Sequence, residues 1–193
     1  MRFYRHIAEE HVTRLMWCEA GMDGEPSWPL RPIDLGQWVV LGPFRDPAVK
    51  LPLLHEFVDE AKVAPAKGAR AGGKKWEPVA LTGRMVPIDS ALGTTAKGVA
   101  YLATRVRVPT KRAARLSLGS DDGVRVWVNA KLVHTHAEDR ALTMDEDQVA
   151  IELETGWNSL LFKVQNSGGG WCLQARLLDE KGEAMRDAED ALP

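Results

Sequence analysis

Cysteine is nearly missing from this chain: Cys18 and Cys172 are the only two in 193 residues. They match no zinc-ligand spacing, and two free, buried thiols are expected rather than a disulfide. No stretch approaches the roughly 18 consecutive apolar residues of a membrane span, so no membrane insertion is expected. Charge of one sign is lacking too, since 25 Lys and Arg against 27 Asp and Glu leave a formal net charge of −2. That balance supplies no basic field and speaks against nucleic acid or an anionic membrane as partner. The opening residues, Met1 to His6, contain no apolar run of a secretory signal. The preferred reading is a piece cut from a longer chain, extracellular or periplasmic in that case.

Catalytic signatures are missing as well. There is no G-x-S-x-G elbow, no G-x-x-x-x-G-K-[ST] phosphate loop, and no recognisable partner for either cysteine. Carboxylates are abundant, at Asp121, Asp122, Asp145, Glu146 and Asp147. Nothing in their spacing sets two of them across a cleft roughly 5–10 Å wide, as a glycosidase pair requires. A non-catalytic role is therefore expected, with a small hydrolase or lyase as the remotest alternative.

What is present is a period of two. Val124, Val126 and Val128 alternate with Arg125, Trp127 and Asn129, the pattern of a strand with one buried face, and the turn Gly119-Ser120-Asp121-Asp122-Gly123 precedes it. Ala100 to Val108 alternates in the same way until Pro109. Further strands are expected at Gln37–Leu41, Ala114–Leu118, Val149–Leu153, Leu160–Gln165 and Cys172–Leu178. Short strands punctuated by turns, with no helices between them, predict an all-β, antiparallel β-sandwich. Tyr4 to Trp17 has helical spacing and predicts an N-terminal helical extension. Gly21 to Pro32 reads as a linker. The expected division is residues 1–34 as helix and linker, 35–181 as sandwich and 182–193 as tail. Leu53 to Val63 suits a short helical turn with Leu54, Phe57, Val58 and Ala61 on one side, and Lys62 to Lys75 suits a long surface loop.

Several of these residues carry a resemblance. Trp38 to Phe44, Lys75-Trp76, Ala100-Tyr101, the Gly119-to-Asn129 segment, Gly156-Trp157-Asn158 and Lys163-Val164 resemble galactose-binding-like jelly-roll domains. The order of the last elements is similar to the sugar-binding domain of β-galactosidase-type glycosidases, in which a strand ends in Asn-Gly. Here Ala130 stands in place of that glycine. The resemblance implies a jelly roll from about Leu35 to Asp179 that binds carbohydrate or orients a catalytic neighbour. Ser120-Asp121-Asp122-Gly123 with Lys131-Leu132-Val133 also resembles the protective-antigen-type lectin domain, which implies Ca²⁺ at Asp121 and Asp122. The competing reading is that both are ordinary turn residues accepting backbone N–H groups. No other cofactor is expected.

The candidate ligand residues follow from sugar chemistry, in which an aromatic ring covers the apolar face and planar polar groups take the hydroxyls. Trp127 is the candidate platform, flanked by Arg125 and Asn129, if its face is open; cover by a loop or by the N-terminal helix is the alternative. His134 and Arg140 belong to the following loop region and complete the candidate set. Trp171 is expected in the core, and Trp38, Trp76 and Trp157 in structural positions at strand ends. The expected function is a non-catalytic carbohydrate-binding module. The rival is a structural domain whose partner is a neighbouring protein.

Overall fold

The computed structural model describes residues 33–193 other than Ala184 and Arg186. The expected helix at Tyr4 to Trp17, the linker at Gly21 to Pro32 and Cys18 lie outside the described residues. The strands are β1 (Ile33–Asp34), β2 (Trp38–Phe44), β3 (Arg70–Ala71), β4 (Lys74–Lys75), β5 (Glu77–Val79), β6 (Val86–Pro87), β7 (Gly98–Val108) and β8 (Arg112–Asp121). They continue as β9 (Val124–Val128), β10 (Lys131–His136), β11 (Asp147–Leu153), β12 (Gly156–Asn166), β13 (Cys172–Leu178) and β14 (Glu189–Ala191), with one short helix, α1 (Ile88–Leu92). The five-stranded sheet runs β1-β13-β8-β11 with β6 beside β13, and the seven-stranded sheet runs β10-β9-β12-β7-β2-β5 with β14 beside β7. These pairings are antiparallel throughout. The molecule is an antiparallel β-sandwich, as the period-two pattern predicts.

The alternation places its apolar set between the sheets. Val124, Val126 and Val128 meet Leu116, Leu118, Leu173 and Leu177 there, and Trp38 and Trp171 are fully buried among them. Trp38 packs edge-on against Phe162, with centroids 5.2 Å apart, and donates its indole N–H to the Leu35 carbonyl. A second apolar layer lies on the outer face of the seven-stranded sheet, where Val39, Leu41, Tyr101, Ala103, Trp127 and Leu161 are covered by Val58, Trp76 and neighbouring side chains. Burial of both faces explains why β7 is buried without interruption from Gly98 to Thr104 and alternates only afterwards, at the exposed Arg105 and Arg107. Strands covered on both faces read as continuous apolar runs, and strands with one wet face alternate.

Three sequence expectations are corrected. Leu53 to Val63 forms turns with no helix, and Leu54 points to solvent at 48 % exposure. The organising residue of that segment is polar. Glu60 accepts from the Tyr101 hydroxyl (2.8 Å), the Lys163 ammonium (2.9 Å) and the Arg125 guanidinium (3.3 Å), and these contacts hold the segment against the sheet. Lys62 to Lys75 contains the hairpin β3–β4, turned by Gly72-Gly73 with φ of +53° and +76°. The last twelve residues are not a tail alone, because β14 pairs with Arg105–Arg107 of β7. The β9–β10 hairpin is turned by Asn129 and Ala130 at φ of +50° and +66°, so alanine occupies a left-handed position that glycine would adopt without a Cβ clash.

Candidate functional site

The structure sorts the candidate residues into two places. Arg125 and Trp127 lie on the outer face of β9, while Asp121, Asp122, His134 and Arg140 gather where β8 ends and the 137–146 loop crosses between sheets.

On the outer face, Arg125 sits in a row of cross-strand neighbours that runs Thr135, Arg125, Lys163, Tyr101, Leu41. Its guanidinium stands 4.9 Å from the Trp127 ring centroid. Trp127 is only 5 % exposed, so of the two alternatives for its face the structure has the covered one. Its ring edge borders a small hollow of about 170 Å³ shared with Glu60, Val63, Asn129 and Ser159. Burial lowers the pKa of Lys163, against the pull of Glu60, and burial together with Glu60 pushes the Tyr101 hydroxyl up.

Asn129 is a latch rather than a free polar group. Its Oδ1 accepts the Ser159 N–H (2.9 Å) and its Nδ2 donates to Asn158 Oδ1 (2.8 Å). Asn158 in turn accepts from the Glu154 N–H and donates to the carbonyls of Glu154 and Gly156. The two asparagines therefore tie the β9–β10 turn to the β11–β12 turn.

At the end of β8 the geometry depends first on Gly119, where a Cβ would lie 2.0 Å from the Thr143 carbonyl oxygen. Only glycine allows the 137–146 loop to cross so close. Arg140, carried on that loop, donates twice to Asp147 (3.1 and 2.5 Å) and once to Ser120 Oγ (2.9 Å). His134 Nε2 lies 3.2 Å from the same Asp147 carboxylate. Burial raises the Asp147 pKa, but the hydrogen bonds and charge of Arg140, with His134, outweigh it and hold the carboxyl below its ordinary range. His134 and Arg140 thus meet on Asp147, a residue the sequence reading counted only among abundant carboxylates. A histidine and an arginine 13 and 7 positions before that aspartate were the available signal.

Asp122 bridges two loops: Oδ1 accepts the Arg140 N–H (3.1 Å) and Oδ2 the Ser167 N–H (2.7 Å). Asp121 differs. The peptide between the two is cis, and no hydrogen-bond donor among the described residues reaches the Asp121 carboxylate. One of its oxygens lies against Gly170, 2.9 Å from where a Cβ would stand. Burial, Asp122 and Asp89 all push its pKa up. The neighbouring Cys172 feels the same field: burial, Asp121 and Asp89 push its thiol up to about 11, and the thiol is free.

Asp145, by contrast, is committed: it accepts from Ser117 (2.7 Å), Gln174 (3.2 Å) and Arg176 (2.6 Å). Among the described residues no group of three or more His, Cys, Asp or Glu side chains is placed to hold a metal ion by itself. No described helix is long and apolar enough to cross a membrane. Trp157, expected in a structural position, is 46 % exposed with Arg105 stacked 4.4 Å from its ring.

No protein-family model and no curated protein matches the chain. Among solved structures it is similar to the PA14 domain of the MpAFP antifreeze protein, at 15% identity and TM-score 0.40 over 50% of this chain and 53% of that one. It is also similar to a PA14 sugar-binding domain from an RTX adhesin, at 16% identity and TM-score 0.40 over 49% and 53%. A glycosyl hydrolase family 2 member from Bacteroides cellulosilyticus matches at 13% identity and TM-score 0.42, over 75% of this chain and 20% of the hydrolase. The match spans about half the length of the two PA14 domains.

Proposed function

We propose that this sandwich is a non-catalytic carbohydrate-binding module, accessory to a larger protein, with its ligand end at the Asp121 apex. The observation that carries this reading is the Asp121 carboxylate itself: half-buried, without a donor among the described residues, and raised in pKa by burial and then by Asp122 and Asp89. A carboxylate in a negative field gains most from a cation, and an oxygen donor suits a hard one such as Ca²⁺. The residues present fit such an ion in part. Asp121 offers both oxygens, whereas those of Asp122 already hold two N–H groups. Six to eight oxygens are needed, so main-chain carbonyls and the ligand's own hydroxyls would complete the shell. When bound, the ion would supply direct coordination of vicinal sugar hydroxyls. The chain's own part is positional, since Asp122 fixes the two loops on either side of the apex. A non-catalytic role is favoured by the commitment of Asp145 to Arg176 and of Asp147 to Arg140, which takes these two carboxylates out of acid–base work.

A glycan array probed with the purified chain, with Ca²⁺ and with chelator, tests the reading. Binding that disappears with chelator, and in Asp121→Asn even with Ca²⁺, is the expected result. Silence under all conditions would move the function to the second reading, a docking domain. That alternative rests on Leu51 and Leu54, which stand on one turn at 65 % and 48 % exposure, an apolar pair of the kind that meets a protein neighbour.

A further inference from the structure

A second concavity lies apart from the apex, between the end of β2, the following turn and the β3–β4 hairpin. Its volume is about 550 Å³, within the roughly 300–1,000 Å³ of small-ligand clefts. Three rings form one wall. Phe44 and Phe57 are stacked with centroids 5.4 Å apart, and His55 meets Phe57 edge-on at 4.7 Å. The hairpin is pressed onto this wall, because a Cβ on Gly72 would lie 2.7 Å from the Phe44 ring. The same hairpin presents Lys74, whose ammonium stands 5.5 Å from the Phe44 centroid.

The charges around the cleft are unbalanced. Lys75 has Glu77 at 2.8 Å, whereas no carboxylate among the described residues pairs with Lys74. Arg45 is held by neutral acceptors only, donating to Thr94 Oγ1 (2.8 Å) and the Ala96 carbonyl (3.3 Å). Both bonds come from Nη2, which leaves the guanidinium with donors to spare. The one carboxylate of the lining, Asp46, uses Oδ1 for the Ala48 N–H (2.9 Å) and keeps Oδ2 as an acceptor.

We propose that this cleft is a second ligand site, one that takes a hexuronate. The sugar's carboxylate would lie toward Lys74 and Arg45, its C–H face along the wall of rings, and one of its hydroxyls on Asp46 Oδ2. A simple carboxylate would leave the ring wall and Asp46 without partners, and a neutral sugar would leave both cations without theirs. The choice of a sugar rests on the carbohydrate reading above, but the site uses neither the apex nor a metal.

The test is an amide-resolved NMR titration of the ¹⁵N-labelled full chain with sodium glucuronate, in chelator and at constant ionic strength, beside glucose, acetate and benzoate. Saturable shifts at the amides of Phe57, Gly72, Gly73 and Lys74 are expected with glucuronate. Lys74→Gln should weaken binding by roughly tenfold, the scale of one charge-assisted contact, and Lys74→Arg should largely restore it. Asp121→Asn should bind as the parent does. The proposal is overturned if those amides do not respond, if Lys74→Gln binds equally well, or if glucose, acetate or benzoate binds as tightly as glucuronate. Loss of glucuronate in Asp121→Asn but not in Lys74→Gln would assign the ligand to the apex and overturn it too. Failure of the Ca²⁺-dependent apex reading leaves each of these outcomes readable.

Discussion

At the scale of single residues, polar side chains in this sandwich act in the interior more than at the surface. Asn158 is fully buried and its amide meets four partners across two turns. Replacing it by Ala removes the partner of the Glu154 N–H and of the Asn129 amide, both in part-buried contacts. A loss of about 1–2 kcal/mol is expected, the net worth of the hydrogen bonds removed where water can reach the groups left behind, and urea denaturation of Asn158→Ala checks it. Asn129 was legible as a residue worth naming, because it ends a strand of alternating valines. Its role was not, because the partner that consumes its amide lies 29 positions away in sequence. His134 and Arg140 lie only 13 and 7 positions from their common anchor, but β10 and β11 belong to different sheets, so the meeting on Asp147 is visible only in the folded sandwich.

Among elements, the segment from Leu53 to Val63 behaves as a cover fastened at one carboxylate. Glu60 is 4 % exposed and faces three donors. Removing one partner of a buried ion pair costs about 3–5 kcal/mol, because the remaining charges stay desolvated. Glu60→Ala should lose stability of that order and become sensitive to trypsin at Lys62 and Lys67, while parent chain is cleaved slowly; limited proteolysis with mass spectrometry reads both. The strands expected at Ala114–Leu118, Val149–Leu153 and Cys172–Leu178 lie within β8, β11 and β13, because alternation is a local signal. The cover was misread as helical because its apolar spacing is local too, whereas the donors that fix it come from three different strands.

For the whole molecule, stability against acid is the sum of carboxylates shifted in opposite directions. Asp145 and Asp147 are held below their ordinary range in the folded state. Their stabilisation is therefore present above the unfolded value of about 3.9 and is lost as pH falls through the folded values. Asp121 is shifted upward, so ionisation of the folded chain carries a cost above its folded pKa that is relieved as pH falls toward the unfolded value. Thermal midpoints measured from pH 7 to pH 3 should show Asp147→Asn starting lower and falling less steeply than the parent chain. Asp121→Asn should start higher at pH 7 and lose its advantage in acid. An Asp121→Asn midpoint below the parent at pH 7, without added cation, would contradict the donorless setting of that carboxylate.

The buried row on the outer face sets one anion, Glu60, against two cations, Lys163 and Arg125. Seen as history rather than chemistry, such a trio is hard to alter one position at a time. A lineage that lost the carboxylate first would carry two stranded charges under the cover, and one that lost a single cation would keep a workable pair. Descent should therefore have passed through the loss of Arg125 or Lys163 before any loss of Glu60, and related chains should show the three positions changing in that order.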